Sequence, residues 1–308
     1  MATIVTLTFS PCIDKSTSIP SLVPEKKLKC TPPKLEPGGG GINVARAITK
    51  LGGEALAIFP SGGYTGKFFN YLMEIEAVTS IVIDTKNETR ENIIVLDDSS
   101  NNQYRFGMPG TLLKESEWKE CIAVVEKMND IKFLVVSGSL PPGVPNTVFT
   151  LLADIARKKK AKLIVDTSGE ALLHAAKQGV YLLKPNLGEL STLAGIEKIE
   201  MDKLESTARD VLNKTGSEII VVSTGESGAT LVTKDQTFKA TPPKLDKKST
   251  VGAGDSMVAG IIYSLEAGKG LEEALQYGVA CGTAATIKPG TDLCDKEDAD
   301  RIFRMMIR

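Results

Sequence analysis

Histidine is almost missing from this chain of 308 residues: His174 is the single one, in the ordinary helical stretch Ala171-Leu172-Leu173-His174-Ala175-Ala176-Lys177. A Ser-His-Asp triad or a multi-histidine metal site would have nothing else to build on, so a general base is expected to be a carboxylate. Cysteine is sparse as well. The five thiols (Cys12, Cys30, Cys121, Cys281, Cys294) are odd in number and hold no C-x-x-C pair. That fits reduced thiols in a cytoplasmic protein and argues against a disulfide framework or a zinc site. Neither charge is in excess: 37 Lys and Arg stand against 38 Asp and Glu, a net −1 without a footprint for nucleic acid or an anionic membrane. No apolar run approaches the roughly 18 residues of a membrane span, and no basic-then-apolar leader opens the chain. Repeats, low-complexity tracts and linkers are lacking too, which leaves one α/β domain over 1–308 with room for a small appendage.

What is present is a strand-helix rhythm. Thr3 to Phe9 reads as an opening strand broken by Ser10-Pro11, with Asp14 just beyond its carboxyl end. Residues 15 to 36 carry no helical period. Ser18 to Val23 and Leu28 to Leu35 are expected as short extended segments joined through Pro24-Glu25-Lys26-Lys27. Glu54 to Phe59 is expected as a strand and Gly66 to Glu76 as a helix. Thr89 to Leu96 and Gln103 to Phe106 flank a polar turn and spell a hairpin, with Arg90 and Arg105 facing each other on its arms. Strands then recur at Lys132–Val136, Lys162–Val165, Tyr181–Leu183 and Glu218–Val222, each ending in small or polar residues. Such a series argues for a parallel sheet with a ligand cleft along its carboxyl edge. Helices at 257–266, 271–286 and 297–307 close the chain.

Two glycine-rich turns stand out. Pro37-Gly38-Gly39-Gly40-Gly41-Ile42-Asn43 runs into a helix whose Val44, Ala47, Ile48 and Leu51 share a face. Four residues without Cβ would let a ligand touch backbone closely. It is not a dinucleotide fingerprint, because Asn43 or Val44 stands where the third glycine belongs, and Ser61 to Phe68 fails as a P-loop at both ends. The second turn, Gly252-Ala253-Gly254-Asp255, meets another apolar helix, so unpaired N–H groups and the helix dipole offer an anion site beside a carboxylate. Asp255 there is a helix cap or a base facing the reacting group. Asn186 and Glu189 share a face if a helix begins there, as a cap or as water-mediated Mg²⁺ ligands. Gly225 to Gly228 is a nucleotide-contacting loop or a simple strand-joining turn. Together these features suggest phosphoryl transfer.

Pro37-Gly38-Gly39-Gly40-Gly41-Ile42-Asn43-Val44-Ala45 and Thr250-Val251-Gly252-Ala253-Gly254-Asp255-Ser256 resemble the two signatures of the ribokinase-like (PfkB) carbohydrate kinases, and the likeness spans essentially the whole chain. Leu7-Thr8-x-x-Pro11, Leu35-Glu36-Pro37, Tyr104-Arg105-Phe106-x-Met108-Pro109-Gly110 and Gly290-Thr291 look most like its minor bacterial 6-phosphofructokinase branch. The resemblance implies a central, mostly parallel sheet flanked by helices, with a small β-sheet lid from two excursions at about 14–36 and 89–107. It implies Asp255 as base, with Gly252, Ala253 and Gly254 as anion hole. Asp14, Gly39, Asn43 and Ser139 would hold the sugar. Arg90, Arg105 and Lys27 would meet its existing phosphate, Lys27 from the other subunit of a homodimer. Ser223, Gly225, Gly228, Lys184 and Asn186 would line the ATP site, and Glu189 would orient Mg²⁺. A K⁺ site would draw on Ser249, Val251, Ala285, Lys288, Gly290 and Asp292, where the charged Lys288 and Asp292 are unusual. The implied reaction is ATP-dependent phosphorylation of fructose 6-phosphate. The alternatives are a kinase of fructose 1-phosphate or tagatose 6-phosphate, or a sugar-phosphate sensor without catalysis. A nicotinamide oxidoreductase is disfavoured, since the strand after the first glycine turn ends Ile58-Phe59-Pro60 with no acidic residue.

Overall fold

A computed structural model describes residues 3–307. In chain order its strands and helices are β1 (Ile4–Leu7), β2 (Cys12–Ile19), β3 (Lys34–Gly38), α1 (Gly40–Lys50), β4 (Leu56–Gly62), α2 (Gly63–Ile75), β5 (Thr79–Thr85), β6 (Arg90–Asp97), β7 (Asn102–Phe106), α3 (Glu115–Lys127) and β8 (Phe133–Ser137). There follow α4 (Val148–Lys159), β9 (Lys162–Asp166), α5 (Gly169–Ala176), β10 (Leu182–Leu183), α6 (Leu187–Ala194), α7 (Leu204–Thr215), β11 (Ile219–Ser223), β12 (Ala229–Val232), β13 (Thr237–Ala240), α8 (Ala253–Glu266), α9 (Leu271–Thr286) and α10 (Lys296–Met306).

Among the described residues the strands make two sheets. The larger runs β13-β12-β11-β10-β9-β8-β1-β4-β5 and is parallel from β11 to β5, with β12 and β13 added antiparallel at one edge. Its central strands are continuously apolar because both faces are covered. In β8, Phe133 and Val135 point into a core shared with α1, α2, α8, α9 and α10. Leu134 and Val136 point into a second core shared with α3 to α7. Each large side chain so enclosed contributes roughly 1.5–3 kcal/mol. The fold is therefore the α/β, ribokinase-like arrangement expected from the sequence.

The smaller sheet, β3-β2-β6-β7, departs in detail from the sequence reading. Its first two strands lie at 12–19 and 34–38, not at 18–23 and 28–35. Pro20, Pro24, Pro32 and Pro33 crowd the intervening chain, and proline has no N–H to donate to a ladder. Asp14 consequently sits inside a strand rather than in a turn after β1. The hairpin 90–106 forms as expected, but Arg105 pairs with Ile94 while Arg90 pairs with Cys12 on β2. The two arginines share a face; they are not opposite each other. Three strands the sequence reading does not place, β5, β12 and β13, all lie at or next to the edges of the large sheet.

Candidate active site

The cleft opens along the carboxyl edge of the large sheet, where β9 and β11 end in Asp166 and Ser223 and Lys184 follows β10. Helix α8 points its first turn into it. Gly252, the N-cap residue, has φ 72° and ψ −1°, a left-handed conformation that suits glycine, and a Cβ there would also strike Leu293 at 2.5 Å. No side chain caps this helix, so the N–H groups of its first turn are left to a ligand. The helix begins four residues before the sequence reading starts it, and Asp255 lies within its first turn.

Asp255 is half-buried and accepts a hydrogen bond of 2.9 Å from Asn43 Nδ2. Burial above all pushes its carboxyl up to about 7, helped by the nearby carboxylates of Asp166 and Asp14 and opposed by Asn43 and Lys184. A carboxylate poised near neutrality is matched to general-base work. Lys184 is buried, with Nζ 3.3 Å from Asp166 Oδ1, and its pKa is raised: burial acts against the charge, but Asp166, Asp255 and Glu189 outweigh it. A Cβ on Gly254 would come 3.4 Å from this ammonium, so the lysine stands beside the anion turn. The sequence reading placed Asp166 at a strand end but gave it no role in the site. The available signal was a lone carboxylate at the end of a parallel strand.

The inner face of the small sheet closes the other side. Register places Cys12, Asp14, Arg90, Asn92 and Arg105 on this one face. Asp14 Oδ1 accepts from Asn92 Nδ2 at 2.9 Å and from the Cys12 thiol at 3.3 Å, and burial raises its pKa against these bonds. Arg90 donates to the carbonyls of Ser10 (3.1 Å) and Met108 (2.9 Å), and Arg105 donates to Gln103 Oε1 and Thr250 Oγ1. Both guanidiniums are thus held by neutral oxygens, and burial lowers the Arg105 pKa against the pull of Asp14. Asn92, likewise given no role by the sequence reading, joins Asp14 to the Arg90 end of the sheet, accepting from Met108 N at 3.1 Å. Ser139 is exposed on the loop after β8, and Lys27 is exposed on the loop between β2 and β3.

The glycine run also has a cause within the chain itself. A Cβ on Gly38 would lie 2.2 Å from Asp14 Oδ2, one on Gly40 would lie 2.3 Å from Ser137 Oγ, and one on Gly41 would lie 2.5 Å from Thr8 Oγ1. Gly39, at φ 113°, meets Thr8 and Pro11. These glycines are demanded first by close approach of the chain to itself, which seats Asn43 beside Asp255.

A cavity of about 590 Å³ adjoins the anion turn, with Ser223, Gly225, Gly228, Ala253 and Gly254 among its walls. Asn186 is the N-cap of α6: its Oδ1 accepts from Glu189 N at 2.9 Å while Glu189 Oε2 accepts from Asn186 N at 2.8 Å. The geometry is a capping box. Burial, and then Asp166, raise the Glu189 carboxyl, against the Asn186 hydrogen bond and Lys184. Ser61 to Phe68 is no phosphate loop here either, since Glu88 occupies the Tyr64 and Thr65 amides at 3.1 and 2.9 Å.

The loops around Ser249 and Gly290 come together, Ser249 Oγ donating to Gly290 O at 2.6 Å and accepting from Val251 N at 3.2 Å. Lys288 donates its N–H to Ala285 O but turns its ammonium to Asp295 and Asp298, at 2.7 Å each. Asp292 pairs with Lys34. The two unusual charges are neutralised by their own partners.

The model of the pfkB family carbohydrate kinases matches residues 5–298. The ATP-dependent 6-phosphofructokinase isozyme 2 of Escherichia coli is 43% identical over 309 residues, spanning 100% of both chains. Solved structures of phosphofructokinase-2 from the same organism superpose with TM-scores of 0.94 in complex with fructose-6-phosphate (42% identity) and 0.95 in complex with potassium (43%), each covering 100% of both chains. With both glycine turns, the carboxylate and the two-sheet cleft in place, the chain belongs to the PfkB family of carbohydrate kinases.

Proposed function

We propose that this chain transfers the γ-phosphoryl group of ATP to the 1-hydroxyl of fructose 6-phosphate. The observation that carries the reading is the pair Arg90 and Arg105 on the inner face of the small sheet, held by neutral oxygens, across a cleft from Asp255. Two cations that share one face with the carboxylate Asp14, and form no ion pair with it, call for an anionic ligand. Likeness to the fructose-6-phosphate complex supports the same sugar here.

In this reading Asp14, Gly39, Asn43 and Ser139 orient the sugar, with Arg90 and Arg105 on its phosphate. Asp255 takes the proton from the attacking hydroxyl. The Gly252–Gly254 amides and Lys184 stabilise charge on the moving phosphoryl group. The 590 Å³ cavity takes the nucleotide. Glu189 and Asp166, the second close enough to help raise the carboxyl of the first, suit a hard cation held through water, so Mg²⁺ with ATP fits the donors present. That ion would supply charge neutralisation of the phosphates. Carbonyl and hydroxyl oxygens around Ser249, Val251, Ala285 and Gly290 suit K⁺, since the Lys288 and Asp292 side chains are engaged elsewhere. The excursions at 14–36 and 89–107 act as a lid that keeps water out. The lid's outer face, where Ile93 and Phe106 pair and are 39% and 48% exposed, joins two copies into a homodimer that brings Lys27 to the neighbour's cleft.

A coupled assay with ATP and a panel of sugars tests the reading. Fructose 6-phosphate is expected to give the highest kcat/KM. Preference for fructose 1-phosphate or tagatose 6-phosphate would replace the named substrate, and equal activity on free fructose would remove the phosphate pocket.

A further inference from the structure

Arg46 on α1 is 1% exposed, on a helix whose neighbouring Val44, Ala45, Ala47 and Ile48 are wholly buried. Its Nη2 meets Glu36 Oε1 at 3.2 Å and Glu76 Oε1 at 2.9 Å. Its Nη1 donates to Pro37 O at 2.7 Å and to Asn43 Oδ1 at 3.4 Å. Around it Glu36 also accepts from Thr291 Oγ1 at 2.6 Å, Glu76 faces Lys50, and Lys34 spans Glu36 and Asp292. Cations Arg46, Lys34 and Lys50 balance carboxylates Glu36, Glu76 and Asp292, which lets a guanidinium persist in the core. Buried ion pairs of this kind seldom stabilise more than apolar packing of the same space. Stability alone is therefore a poor account of an arginine here.

Resting on the kinase reading above, we propose that Arg46 is a positioning residue for the catalytic carboxylate, its guanidinium locking the Asn43 amide so that Nδ2 faces Asp255. The two ends of an asparagine amide have nearly the same shape, so only hydrogen bonding decides which points where. Arg46 is a permanent donor and can meet only the oxygen end. That leaves the NH₂ end for Asp255 Oδ2, at 2.9 Å. Reversed, the amide would set its oxygen against the carboxylate. The second Nη1 bond holds Pro37 O, at the head of the glycine run. The groups facing Asp255 from the elements around it are Asn43 from α1, Asp14 from β2, Asp166 from β9 and Lys184 after β10, and of these Asn43 is the one hydrogen-bonded to it.

The test is the pH profile of kcat for the parent, Arg46→Lys and Arg46→Met, with melting temperatures alongside. The Asn43 bond holds the Asp255 carboxyl down, so loosening it moves the acid limb to higher pH, by about one unit or more. At pH 7 kcat falls about tenfold, while KM for ATP stays within about threefold. In an Asn43→Ala background Arg46→Met adds less than about twofold. Arg46→Lys keeps the charge but loses the fork, and it gives the same reading should Arg46→Met fail to fold. Variants that melt earlier but keep the parent's acid limb, or an Arg46→Met effect undiminished in Asn43→Ala, overturn the inference. A parent that phosphorylates no phosphosugar overturns the kinase reading instead, so the two failures are distinct.

Discussion

Asp255 carries opposing demands in one side chain. The burial that lifts its carboxyl from 3.8 to about 7 makes it a usable base and also makes its charged form costly to the fold. A base works deprotonated, so kcat should fall as pH drops below about 7. Asp255→Asn keeps the shape and cannot accept the proton; kcat is expected to fall by about 10²–10⁴ with sugar and nucleotide binding little changed. For stability the sign runs the other way. A folded pKa above the unfolded value stabilises below pH 3.8, and that contribution is lost as pH rises through about 7. Asp255→Asn should therefore melt above the parent at pH 8, by at most roughly 4 kcal/mol, with the gap closing towards pH 4. Melting curves at the two pH values check this, and an asparagine variant less stable at pH 8 would contradict the burial argument. Sequence brought Asp255 forward through its place after a glycine turn. It gave no role to Asp166 or Asn92, whose neighbours in space are remote in the chain.

Among the elements, α6 and α8 use their N-termini in opposite ways. Helix α8 leaves its first turn uncapped behind a left-handed glycine, whereas α6 is closed by the Asn186–Glu189 capping box. The cap does not exclude a metal role, because one Glu189 oxygen serves it and glutamine can serve a capping box as well. Glu189→Gln thus separates the two. It should raise the Mg²⁺ needed for half-maximal rate while leaving the melting temperature and sugar KM close to the parent's. An unchanged Mg²⁺ titration would leave Glu189 with the cap alone. Helix α8 was legible as a turn entering an apolar periodic stretch, and α6 only as a conditional start at Asn186. Which turn is filled by its own side chains was not, since that depends on rotamers rather than spacing.

The whole molecule is a large sheet with a small one folded over its working edge, and specific polar contacts join the hairpin of the small sheet to the body. Gln103 and Arg105 on β7 reach Ser249 and Thr250, next to the anion turn. The loops proposed to hold K⁺ lie at the same junction, so activity in K⁺ should exceed that in Na⁺; equal rates would show that these oxygens hold no functional ion. The outer face of the small sheet tests the assembly. Phe106→Asp places a charge in the proposed contact and should yield monomers in sedimentation, with a raised KM for the phosphosugar from loss of the neighbour's Lys27. Dimers that survive the change would move the interface elsewhere.

Sequence alone determined the strand-helix alternation, the two glycine turns with the carboxylate behind the second, and the family, because each is written in spacing along the chain. It could not decide strand limits between prolines, as at 20–33, where pairing partners rather than local preference set the ends. Tertiary structure alone decided that the glycines of 38–41 admit Asp14, Ser137 and Thr8, that Lys288 and Asp292 turn to Asp298 and Lys34, and that Arg46 lies behind Asn43. Each of these links residues that only packing brings together, and a one-dimensional pattern carries no record of such distances.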